Sequence, residues 1–105
     1  MVEIIWTDSA IQDLHDIGDY IAKDSDKYAQ ITVNRLFDSV DILELYPHAG
    51  KIVPEFNEVS IRELIRGNYR IVYQIMDENR IDILTVHNCA RLIENTYDFQ
   101  DLNDE

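Results

Sequence analysis

The side chains best suited to gripping or turning over an anion are Arg62, Arg66, Arg70, His87 and Arg91, with Tyr97 nearby, all at or next to the ends of extended runs. A guanidinium clamps phosphate or carboxylate through paired donors, and an imidazole exchanges a proton near neutral pH. Each also has a plainer use. Arg70 can be spent on a salt bridge to Asp82 or Glu63 across a sheet, Arg62 and Arg66 can lie on a solvated strand face, and His87 can be a satisfied structural histidine. Cys89, two residues beyond His87, is only a weak hint of a nucleophile with its base. His15, His48 and His87 stand apart from one another and Cys89 lacks a second thiol, so no metal-ligand spacing exists. Three glycines form no phosphate loop. No metal and no cofactor is expected.

The elements that must position these groups are legible from spacing. In residues 61–91, Gly67-Asn68 is a short loop that supplies positive φ and Asp77-Glu78-Asn79 is a polar tip, which predicts three extended runs joined as hairpins. In the middle run Tyr69, Ile71, Tyr73 and Ile75 alternate with Arg70, Val72, Gln74 and Met76. Ile81 to His87 has apolar residues in both alternating sets, as expected of a strand covered on both faces. The first run, Val59 to Arg66, has one wetter face.

Upstream, Val2 to Trp6 reads as a strand joining that sheet. Thr7, Asp8 and Ser9 are all good N-caps, and Ser9 with Gln12 fits a capping box. Ala10, Leu14, Ile17 and Ile21 form a stripe for burial, with Ile11 beside it and Asp13, Asp16 and Asp19 on the other side. Ser25 or Asp26 caps a second helix, with Ala29, Val33, Leu36, Phe37, Val40 and Leu43 at helical spacing and an end before Pro47. Pro47 to Gly50 is a turn, and Lys51 to Glu58 a loop. The predicted fold is α+β in the order β-α-α-β-β-β, a helical hairpin packed on an antiparallel sheet. Leu92 to Gln100 could add a short helix, and an acidic tail begins at about residue 93.

The chain has 105 residues, the size of one domain, spanning 1–105. Its single cysteine and the lack of a charged-then-apolar opening point to a reducing cytoplasm, and no apolar run approaches a membrane span. The net charge of −12 disfavours nucleic acid, and the chain alone is expected to make no sequence-specific contact with DNA. The charge is unevenly spread. Residues 1–50 sum to −7 and residues 92–105 to −5, whereas six bases balance six acids in residues 51–91. The expected binding surface is therefore a cationic ledge between acidic flanks.

Several blocks, in order, resemble the RelE/ParE superfamily of bacterial type II toxins, also called plasmid stabilisation proteins. They are the run from Trp6 to Ala22, Pro47 to Lys51, Ile61 to Leu64, Tyr69 to Tyr73 and Val86 to Arg91. The resemblance implies a cognate antitoxin that wraps the toxin and arrest of growth when the toxin is free. In the ribonuclease branch, members cut messenger RNA on the ribosome, and this implies Arg70 at the scissile phosphate with His87 and Glu55 as acid and base. Ile61 and Glu63 stand where that branch is basic, and the charge of −12 suits the ribosome poorly. The ParE-like branch, whose members poison DNA gyrase by binding it, is favoured by the Ala90 to Leu92 and Pro47 to Gly50 segments. There Arg62, Arg66, Arg91 and Tyr97 are the expected target contacts. A copy that has lost toxicity and only binds its partner is a third reading.

Overall fold

The computed structural model describes Met1 to Cys89. Five strands and two helices follow in the order β1 (Glu3–Trp6), α1 (Asp8–Ala22), α2 (Asp26–Asp38), a 3₁₀ stretch (Ser39–Glu44), β2 (Lys51–Ile52), β3 (Ile61–Arg66), β4 (Tyr69–Asp77) and β5 (Arg80–Asn88). The helical hairpin on a sheet is as the sequence predicts. Two details differ. Lys51–Ile52 is a short strand on Arg62 and Glu63, where a loop was expected, because a pairing of two residues leaves no periodicity to read. The sheet is also not wholly antiparallel: in the order β1-β5-β4-β3-β2, β1 runs parallel to β5, with Glu3 opposite Arg80 and Trp6 opposite Ile83. A parallel pair requires a long crossover, and the helical hairpin with the following meander supplies it.

Thr7, not Ser9, caps α1. Its side chain accepts from the Ala10 N–H at 3.2 Å, while its hydroxyl donates to the Ile83 carbonyl at 2.7 Å, so one residue both starts the helix and ties it to β5. Gln12 instead bonds Asp16 along the helix. Ser25 caps α2 as expected, accepting from the Tyr28 N–H at 3.0 Å. Ala10, Leu14, Ile17, Leu36, Val40 and Leu43 pack on Leu64, Ile71, Tyr73, Ile81, Ile83 and Val86. Burying each branched aliphatic side chain contributes about 1.5–3 kcal/mol. Phe37 lies outside this core, half exposed, and stacks on Trp6 at 5.2 Å. Gly67 has φ +61°, the left-handed backbone that the β3 to β4 turn demands.

Candidate functional site

Register divides the arginines between two faces of the sheet. Arg62 lies opposite Tyr73 and Arg66 opposite Tyr69, so they share the helix-side set with Ile71 and Tyr73. Arg70 lies opposite His87, on the other face. The expected single ledge is thus two separate sites; Arg91 and Tyr97, and the short helix expected near them, lie outside the described residues.

On the open face Val72 pairs with Thr85 but Tyr73 with Ile83, leaving Leu84 as an extra residue in β5. This bulge helps form a cleft of about 320 Å³ lined by Glu55, Phe56, Arg70, Val72, Leu84, Thr85 and His87. Arg70, His87 and Glu55 therefore do meet. Arg70 is not free, however: its Nε donates to Glu63 Oε1, and its Nη2 sits 3.7 Å from Glu55 Oε1. Asp82, the other partner foreseen for Arg70, is taken by Arg80 through two bonds of 2.8 and 3.1 Å. Among the described residues, the guanidinium lining the cleft faces two carboxylates, Glu55 on the lining and Glu63 beside it. An incoming phosphate would have to displace a carboxylate already placed on the arginine.

On the helix side, Arg62 is part of a clip. Its Nε donates to the Val59 carbonyl at 3.1 Å and its Nη1 to the Gly50 carbonyl at 3.0 Å and the His48 carbonyl at 3.4 Å. Tyr73 completes it: the buried phenol accepts from the Gly50 N–H at 2.9 Å and donates to the Pro47 carbonyl at 2.8 Å. The 47–50 turn that joins the helical layer to β2 is therefore held by two β-strand side chains. Burial pushes the Tyr73 hydroxyl above the ordinary 10.0, against the lowering effects of the Gly50 N–H and the Arg62 charge. The fold thus favours the neutral phenol. This contribution is complete below about pH 10 and is lost as pH rises through the raised value. Urea midpoints measured upward from neutral pH should fall there, and the fall should be smaller in Tyr73→Phe.

Arg66 donates to the neighbouring Ile65 carbonyl at 2.9 Å and lines a second cleft, of about 400 Å³, with Arg35, Tyr28, Thr32 and Asn68. Sequence reasoning missed Asp13, Thr85 and Tyr73. Asp13 belongs to the acidic side of α1, yet its Oδ2 accepts from the Thr85 hydroxyl at 2.7 Å and the Val86 N–H at 2.9 Å. Neither residue carries a local signal for this pairing, since they are more than seventy positions apart.

The architecture is that of a known class. A chain of the chromosomal ParDE TA system from P. aeruginosa superposes with TM-score 0.67 at 23% identity, covering 84% of this chain and 96% of that one. A family model described as the ParE toxin of the type II toxin-antitoxin system, parDE, matches residues 4–93. The chain belongs to that family, within the RelE/ParE superfamily of type II toxins. Among relatives, Y4kP of Sinorhizobium fredii is 38% identical over 85 residues, covering 79% of this chain and 83% of its own length. Toxin RelE2 of Caulobacter vibrioides is 29% identical over 92 residues, 88% of this chain and 100% of that protein. Among the described residues no helix is long and apolar enough to cross a membrane.

Proposed function

We propose that this toxin arrests growth by binding DNA gyrase rather than by cutting RNA. The observation that carries the reading is the capture of Arg70 by Glu63, with Glu55 alongside. A ribonuclease of this fold needs a cationic clamp for the phosphate, and here the candidate clamp is neutralised within a chain of net charge −12. The match to the ParE family model supports the same branch. Purified protein should block supercoiling by gyrase and leave transcripts intact; undiminished supercoiling at excess toxin would remove the proposal. A cognate antitoxin in the cytoplasm would hold the toxin in check, and the acidic surface favours a basic or amphipathic antitoxin segment.

A second reading rests on a specific observation, the convergence of Glu55, Arg70 and His87 in one cleft, together with the likeness to Toxin RelE2. In it the ribosome would dislodge Glu63 and deliver the phosphate to Arg70. It requires cleaved transcripts on translating ribosomes, with cutting abolished when His87 is replaced.

A further inference from the structure

β1 accompanies β5 only as far as Ile83, so from Leu84 onward the outer edge of β5 has no strand beside it among the described residues. Two side chains from the start of α1 take over. The Thr7 hydroxyl covers the Ile83 carbonyl and the Asp13 carboxylate covers the Val86 N–H. Asp13 does more than close the edge, because the same Oδ2 receives the Thr85 hydroxyl at 2.7 Å, and that hydroxyl oxygen lies 3.3 Å from His87 Nε2.

Proton counting orders this chain. A hydroxyl has one hydrogen to give, and a carboxylate only accepts. With the hydrogen of Thr85 committed to Asp13, its oxygen faces His87 with lone pairs alone, so Nε2 must be the donor. In a neutral imidazole the other nitrogen, Nδ1, is then bare. We infer that Asp13, acting through Thr85, is a positioning residue that fixes His87 as the Nε2–H tautomer. The cleft beside Arg70 thereby offers a hydrogen-bond acceptor at the ring. Arg70 stands across the strand from His87, Glu63 holds Arg70, and Glu55 lines the cleft, so among the described residues the carboxylates near the ring outnumber the guanidinium. A group entering there must bring a donor, a hydroxyl or an amide N–H, rather than a bare phosphoryl or carboxylate oxygen. The tautomer itself is independent of the target; the donor requirement disfavours a phosphate in this cleft and so sides with the gyrase reading.

The test is long-range proton–nitrogen NMR of the full chain in mildly alkaline solution. The exposed His15 and His48 serve as internal references. His87 should show the Nε2–H pattern with a ring proton that exchanges slowly with water. Thr85→Val should lose that slow proton and bring His87 to the averaged pattern of the references, whereas Thr85→Ser should keep it. Asp13→Ala, which frees the hydroxyl to turn, should lose it as well. Added sulfate, which offers only acceptors, should leave the ring signals in place. An Nδ1–H pattern in the wild-type chain overturns the inference without any variant. So does an unchanged His87 signature in folded Thr85→Val or Asp13→Ala, or a shift of the ring nitrogens on adding sulfate.

Discussion

Gly50→Ala should destabilise the protein by roughly 3 kcal/mol, the upper range for overpacking a closed site. A Cβ at Gly50 would lie 2.5 Å from the Glu63 carbonyl oxygen and 2.7 Å from the Tyr73 hydroxyl. Neither neighbour can yield cheaply. The carbonyl is backbone of β3, and the phenol is fixed by its bonds to the Gly50 N–H and the Pro47 carbonyl within a fully buried ring. Backing the turn away to relieve the clash would also pull the Gly50 carbonyl from Arg62 and break the β2 pairing beside it. Chemical denaturation would measure the loss as a lowered midpoint. Tyr73→Phe separates the two components: it removes the hydroxyl without adding volume, leaves the Gly50 N–H unsatisfied, and should cost about 1–3 kcal/mol. If Gly50→Ala proved as stable as the parent, the turn would not be seated on Tyr73 as described.

What could be read from the sequence divides according to the distance over which each feature is encoded. The helices, the hairpins and the interior position of β5 are local patterns: periodicity, caps, and the Gly67-Asn68 turn all report on neighbours a few residues apart. Arg70 and His87 stood out by residue type and position and Glu55 by family resemblance, and the structure gathers the three in one cleft. Features made by partners far apart in the chain were not legible. Asp13 reads as one more acid on a wet helix face until β1 is seen to stop short and leave Val86 in need of an acceptor. Arg62 reads as a free cation because the carbonyls of His48, Gly50 and Val59 that engage it have no side-chain signature. The parallel placement of β1 was equally hidden, since four residues specify neither direction nor neighbour.

Arg70→Ala should cost about 2 kcal/mol in stability before any effect on a target is considered. The Arg70 side chain is 25% exposed and that of Glu63 only 13%, so removing the guanidinium leaves a mostly buried carboxylate without its partner. Glu63→Ala should cost less, because Arg70 keeps Glu55 at 3.7 Å and has more access to water. Together the two changes should cost less than their separate losses added, with a coupling of about 1–3 kcal/mol in a double-mutant cycle. Additive losses would mean that the pair does not hold in solution. The coupling also decides how functional assays must be built. Loss of growth arrest in Arg70→Ala alone would be equally consistent with a missing phosphate clamp and with a protein short of folded molecules. Replacing both partners with apolar residues of similar size, Glu63→Leu with Arg70→Met, removes the guanidinium while leaving no orphaned charge, and such exchanges are often neutral. If gyrase inhibition and growth arrest survive in that variant at parental stability, Arg70 is a structural cation and the binding-inhibitor reading stands. If both vanish while the fold is intact, the guanidinium acts at the target, and its pairing with Glu63 is a resting state that the target must break.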